Sequence, residues 1–238
     1  MSTLLDEINE AHGGLERWQN ATTIEADIAI GGPFWELKGI ADFAGSAHVV
    51  ADIQRQHNKL TQPSGRVMEF DKDADVATLT EPDGSTERLE HPRATFSGYT
   101  FESQFSAPQA AYFCAYATWL YLIESYVFDY PGVEIAAANP WVEDGTSWRG
   151  VRATFPPTID AHSRTQVYYF DPEGRLARLD YEPEVNGGMP TAHYQPRQVS
   201  ASAFVVTTRH EVYVRNPDRT PDRSQMAITL DMTAVTVR

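Results

Sequence analysis

The sequence predicts a mainly β protein: a curved antiparallel sheet forming an incomplete β-barrel, with an N-terminal helix and an inserted central helix. Three observations predict this. Apolar and polar residues alternate with period two over most of the chain, as in half-buried strands. Turn signals such as Pro82-Asp83-Gly84 and Asp171-Pro172-Glu173-Gly174 separate those segments, Pro presetting φ and Gly accepting φ > 0. One apolar run, Ala110 to Phe128, interrupts the alternation. About a dozen short strands at this spacing imply a curved sheet or barrel and not a βαβ fold. With no linker, low-complexity segment or internal repeat, residues 1–238 read as a single domain.

Residues 2–19 are expected to open the chain as an amphipathic helix, because Leu4, Leu5, Ile8, Ala11, Leu15 and Trp18 recur at spacings of three and four. Ser2 or Thr3 can cap its first amides. Gly13-Gly14 should weaken or bend it, and close packing against a strand is the expected reason for the pair. From Thr22 the period becomes two: Ile24, Ala26, Ile28 and Ile30 face one way, Glu25 and Asp27 the other. After the Gly31-Gly32-Pro33 turn, strands are expected at Phe34–Asp42, Ala47–Lys59, Arg66–Phe70, Val76–Thr80 and Thr86–Glu90. His91 to Pro108 reads as irregular. A helix from about Gln109 to Phe128 carries aromatics nearly all round, the mark of a buried helix. Strands resume at Val133–Ala138, Ser147–Phe155, Arg164–Phe170, Arg175–Tyr181, Ala192–Ser200, Phe204–Val214 and Gln225–Val237.

Charge excludes some partners. Lys plus Arg number 19 against 33 Asp plus Glu, a net charge of −14. Such a surface repels phosphate backbones and anionic headgroups, so nucleic acid is not an expected partner. Ala110–Phe128 falls short of the ~20 uninterrupted apolar residues a spanning helix needs and contains Glu124, so no stable membrane insertion is expected. The single cysteine, Cys114, excludes an intrachain disulfide and a thiolate zinc site. The acids Asp6, Glu7 and Glu10 in the first turns do not suit a secretory signal, and a cytoplasmic location is expected.

Phosphate-binding glycine loops, dinucleotide fingerprints and the Gly-x-Ser-x-Gly nucleophile elbow are absent. None of the seven histidines forms a His-x-His or His-x-x-x-His pair, so no metal site and no cofactor are expected from spacing. The densest polar and aromatic collection follows Pro157. Arg178 and Asp180 share one strand face, Leu179 and Tyr181 the other; the facing strand of the hairpin places Tyr168 with Phe170 and Tyr169 with Val167. His162 or His193, near Asp160 or Asp180, has the chemistry of a general base with a carboxylate setting its tautomer, and Tyr169 that of an orienting hydroxyl. The competing reading makes Arg178 and Asp180 a solvated face and the tyrosines core rims. Trp35, Tyr112, Tyr116, Trp119, Tyr168 and Tyr181 are the expected lining of a ligand cavity. If the barrel is filled, the tryptophans are core.

At AHGGLERW, followed by a strand and GGPFWELKG, and again at YFDPEGRLARLDY, the chain resembles uncharacterised bacterial proteins of the LolA/LolB/LppX-like lipoprotein-carrier superfamily. The resemblance covers most of the chain as an order of elements. It implies an incomplete barrel wrapped over helices, with an apolar cavity that accepts acyl chains. The N-terminal residues are not expected to form a signal peptide or lipobox, so lipoprotein transport is not expected to carry over. Two functions follow. One is binding of a hydrophobic small molecule or acyl chain in a hollow that the central helix borders without filling. The alternative is a cofactor-independent cyclase, isomerase or hydrolase acting on an apolar natural-product intermediate, with His162, His193, Asp180 and Tyr169 as acid–base groups.

Overall fold

The computed structural model describes residues 2–238, with side chains from Leu4 onward, so the capping expected of Ser2 or Thr3 falls outside the described side chains. The chain opens with α1 (Ser2–His12) and α2 (Leu15–Asn20), separated at Gly13-Gly14. Gly13 has φ +117°, and a Cβ there would lie 2.5 Å from the Ala203 carbonyl oxygen. The pair therefore breaks the helix, and its first member lets the backbone meet the sheet.

Next come β1 (Thr23–Gly31) and a departure from the predicted order. Phe34–Asp42 is not a strand but α3 (Phe34–Leu37) followed by a 3-10 turn at Ala41–Phe43. Gly32 at φ +104° and Gly39 at φ +72° bracket it, and both conformations break an extended run. The Trp35 indole N–H donates to the Gly31 carbonyl, 3.1 Å away, which turns the ring inward. The predicted strand Ala47–Lys59 is two, β2 (Gly45–Asp52) and β3 (His57–Thr61). The Asp52 carboxylate accepts from the Gln54 amide at 2.8 Å, forming the side-chain turn that divides them.

The first meander continues through β4 (Val67–Asp71), β5 (Val76–Thr80) and β6 (Thr86–Glu90). After a 3-10 turn at Pro92–Phe96 comes α4 (Ala107–Ile123), extended as a 3-10 helix over Glu124–Asp129. A reciprocal capping box between Ser106 and Gln109 starts α4 slightly before the predicted position. The second meander is β7 (Glu134–Glu143), β8 (Thr146–Thr154), β9 (Thr165–Phe170), β10 (Leu176–Tyr181), β11 (Thr191–Ala201), β12 (Phe204–Arg215) and β13 (Pro221–Val237).

All 13 strands form one antiparallel sheet in the order β6-β5-β4-β3-β2-β1-β13-β12-β11-β10-β9-β8-β7. The last strand joins the two meanders by pairing with both β1 and β12. The outermost strands β6 and β7 do not pair with each other, so the barrel is incomplete, as predicted. Each edge is protected from further pairing: β6 carries Glu87, Arg88 and Glu90, and β7 carries Pro140 beside a register shift.

The sheet curls around α4. Side chains of α4 and its extension reach from the β2–β3 turn, where the Trp119 N–H donates to the Asp52 carbonyl at 2.7 Å, to β9, where Phe128 packs on Tyr168 and Phe170. Every residue from Gln109 to Phe128 is buried. The helix fills the concavity where the sequence reading has it bordering a hollow, because its apolar side chains point outward in all directions and need cover on every side. Among the described residues, no helix is long and apolar enough to cross a membrane.

Candidate functional site

Polar groups gather where the end of α4 meets β11 and β12. In the β11–β12 pairing His193 lies opposite Val212, which makes His210 its diagonal neighbour on the concave face. His193 Nε2 is 3.0 Å from His210 Nδ1. Glu124, the residue after α4, points at both: Oε1 is 3.8 Å from His193 Nδ1, and Oε2 is 3.9 Å from His210 Nδ1. Gln195 approaches the same carboxyl at 3.5 Å. Aromatic rings seal the cluster. Tyr121 stacks on His210 with centroids 4.6 Å apart and tilts against His193 at 4.7 Å, while Tyr181 stacks on His162 at 4.4 Å. The Tyr116 hydroxyl meets His162 Nδ1 at 3.3 Å.

Burial sets the electrostatics of this cluster. It pushes the Glu124 carboxyl well above the usual carboxylate range, with the Gln195 contact only partly opposing it. It lowers His162 and His210 to about 3 and holds His193 well below the ordinary imidazole value. No lysine or arginine pairs with Glu124 among its described contacts. Glu124 Oε1, His193 Nδ1, His210 Nε2, Gln195 Oε1 and His162 Nε2 are buried without a hydrogen-bond partner in the protein. Glu124, His193 and His210 can each offer one ligand atom within 4.8 Å of the others, an arrangement spacing along the chain did not show.

Beside the cluster lies a mostly apolar pocket. Phe34, Phe113, Val212 and Ile228 form its walls, and Tyr121, His162 and Tyr181 close its inner end. Phe101 and Met189 contribute from two loops at the rim. The enclosed space is about 30 Å³, enough for a water and far below the ~300 Å³ of ordinary ligand sites. Lys38 fastens the rim by donating to the carbonyls of Phe101 and, at 3.2 Å, Ser103. At Gly187 a Cβ would lie 2.7 Å from the Thr100 Cα, so the two rim loops touch backbone to backbone.

The predicted site residues divide between two faces of the sheet. His162 and His193 face inward, in one aromatic-lined cluster. Asp180 and Tyr169 do not join them and cannot act as their carboxylate and hydroxyl. Strand alternation turns both to the convex side. There Arg178 holds Asp180 with bonds of 2.6 and 3.0 Å, Arg215 adds a third at 3.0 Å, and Arg219 donates to the Tyr169 hydroxyl. The alternative of a solvated Arg178–Asp180 face fails as well: Arg178 is fully buried, its guanidinium lying over Trp141 and Tyr194. Asp160 is likewise engaged away from His162, accepting from the Tyr112 hydroxyl at 2.6 Å and pairing with Lys72 at 2.9 Å.

All six predicted lining residues are buried, yet Tyr181 alone of them faces the pocket. Trp119 is tied to the β2–β3 turn, Tyr112 to Asp160, and Tyr168 donates to Gln166 at 3.2 Å. Trp35 packs against Phe34 and Phe113, behind the pocket wall, and Tyr116 reaches His162 from α4. These are packing residues of a filled interior. Glu124, Gln195, His210 and Lys38 are the polar residues that the sequence reading left out.

No family model matches the chain, and no curated protein matches it. Solved structures do. A DUF1329 family protein from Desulfovibrio piger superposes with TM-score 0.55 at 9% identity, over 99% of this chain and 92% of that one. A LolA superfamily protein from Nitrosomonas europaea gives TM-score 0.55 at 10% identity, over 100% and 93%. A putative outer membrane lipoprotein-sorting protein domain from Vibrio parahaemolyticus gives 0.54 at 10%, over 99% and 91%. At such identities the likeness is one of fold: the chain shares the fold of these three structures along its whole length.

Proposed function

We propose that the protein binds a hydrophobic small molecule or acyl chain between α4 and strands β10–β13, entering through the pocket beneath the Phe101 and Met189 loops. The observation that carries this is the pocket's chemistry. Its lining is mainly aromatic and aliphatic, with His162, Asn186 and Thr191 the exceptions. The fold shared with a LolA superfamily protein and a lipoprotein-sorting domain supports the same reading.

With about 30 Å³ enclosed, the rim must part to admit a guest. Burying each methylene contributes ~0.8 kcal/mol, so a ten-carbon chain brings roughly 8 kcal/mol against the cost of opening. That margin is large enough to displace loops held by two Lys38 hydrogen bonds. The reading is tested by titrating a fluorescent fatty-acid probe into the delipidated protein and analysing the protein as purified by native mass spectrometry. Saturable one-to-one binding, lost when Val212→Trp fills the pocket, is expected. A protein that ignores chains of eight to eighteen carbons, or binds them equally well with Val212→Trp, does not work this way.

A further inference from the structure

The geometry points to a buried metal centre in which Glu124, His193 and His210 bind one divalent first-row transition ion. It stands apart from the apolar ligand proposed above and does not depend on it. Three features carry the assignment.

The first is a concentration of unpaired polar atoms. Among the described residues, the buried side-chain atoms lacking a partner include one from each of Glu124, His193, His210 and Gln195, and these four residues touch one another. Proteins rarely bury such atoms unpaired, and one cation held by Glu124 Oε1 and His193 Nδ1, 3.8 Å apart, satisfies two of them at once. Second, the Glu124–His separations suit an ion better than a hydrogen bond or a water. The Glu124–His contacts of 3.8 and 3.9 Å are too long for a hydrogen bond. They are also too short for an intervening water, whose two ~2.8 Å legs span roughly 4.5 Å. Two ligand bonds of ~2.1 Å meeting at one metal span up to about 4.2 Å. His193 Nε2 and His210 Nδ1, 3.0 Å apart, hydrogen-bond ring to ring, and one donor atom from each of Glu124, His193 and His210 lies within 4.8 Å of the others, a spread that a modest side-chain shift closes onto one ion.

Third, the donor set is chemically selective. A buried carboxyl with no cationic side chain beside it lacks a counter-charge, and a dication supplies one. Two imidazoles and one carboxylate favour zinc or ferrous iron over magnesium or calcium, which prefer an all-oxygen shell. The Gln195 carbonyl, unpartnered and carried on the amide that touches Glu124, offers a further donor beside the three. The ligands also sit on rigid elements, two on paired central strands and one at the end of the buried helix.

The test uses the full chain with any affinity tag removed. Metal content is measured by mass spectrometry as purified, and again after refolding with Zn²⁺, Fe²⁺ or Co²⁺ and gel filtration. About one ion per chain is expected, with a Co²⁺ visible spectrum and an X-ray absorption shell of nitrogen and oxygen donors at ~2.0–2.2 Å. Bound ion should raise Tm, since it stabilises the folded state only. Glu124→Gln, His193→Ala and His210→Ala should each lower stoichiometry at least about tenfold, while His57→Ala, at a histidine paired with Glu69, should not. Circular dichroism reports whether the variants fold. If one does not, the wild-type Co²⁺ and X-ray spectra decide alone. Wild-type chain refolded with each ion and still metal-free overturns the assignment, and so does metal retained by folded triad variants.

Discussion

At the scale of residues, burial makes polar groups expensive and so makes their loss measurable. His12 is completely buried, its Nδ1 2.7 Å from the Ile8 carbonyl, and burial lowers it to about 4 from the ordinary 6.5. The unfolded chain therefore takes up a proton near pH 6.5 that the folded chain refuses until about pH 4. Stability attached to this group is complete above pH 6.5 and is lost as pH falls towards 4. The loss approaches about 3 kcal/mol. Urea midpoints for wild type and His12→Gln should converge as pH drops through that window, and parallel curves would show that His12 does not titrate this way. The Arg178–Asp180 network makes a second case. Arg178→Met strips two bonds from a buried carboxylate and should cost about 3 kcal/mol. Arg238→Gln, at an exposed pair with Glu25, should cost under about 1 kcal/mol. Equal shifts in the denaturation midpoint would remove the distinction between the two pairs.

At the scale of elements, glycines at contacts should tolerate side chains less well than glycines at open turns. Gly13→Ala places a methyl 2.5 Å from the Ala203 carbonyl at φ +117°, whereas Gly14, at φ +94°, has nothing nearby. Both substitutions pay for the backbone conformation, about 1 kcal/mol, and only Gly13→Ala also forces α1 away from the sheet. Its Tm should fall several degrees further than that of Gly14→Ala, and equal losses would mean the α1–sheet contact yields freely. Gly187→Ala wedges the rim loops apart in the same way and should speed association of an acyl probe.

Elements of this kind were unevenly legible in the sequence. Period-two alternation located the β1 and β4–β13 strands, and the aromatic run located α4, because each pattern records which side is buried. Phe34–Asp42 was misread because its inward turn is set by the glycines at 32 and 39 rather than by alternation. Asp180 was placed on the right strand face, but its surroundings come from Arg215, at the end of β12, and Arg219, in the loop after it, both distant in sequence. The His193–His210 pair shows a different gap. Counting back from the turn between Ala201 and Phe204 sets His193 opposite Val212 and His210 on the same face, so a register argument finds what a spacing search does not.

At the scale of the whole molecule, the decisive feature is that β13 is last in sequence and central in space. Strands β1–β6 and β7–β12 are two meanders of local hairpins, and β13 alone joins them through β1 on one side and β12 on the other. The core around α4 draws on both meanders, with Trp119 fixed at β2–β3 and Phe128 packed on β9. Neither meander can bury its inner face alone, so wild type should unfold in one cooperative transition, with fluorescence and circular dichroism coincident. Folding should be slow, because the contacts that close the core span most of the chain and loop closure precedes their gain. Deleting residues 221–238 leaves β1 and β12 each with an unpaired edge and removes Ile228, Leu230 and Met232 from the core, exposing the apolar side chains they cover. That shortened chain should lose its cooperative transition and bind a hydrophobic dye. If it instead melts sharply at the wild-type temperature, the meanders associate without their common strand, and the sheet is held together by α4 alone.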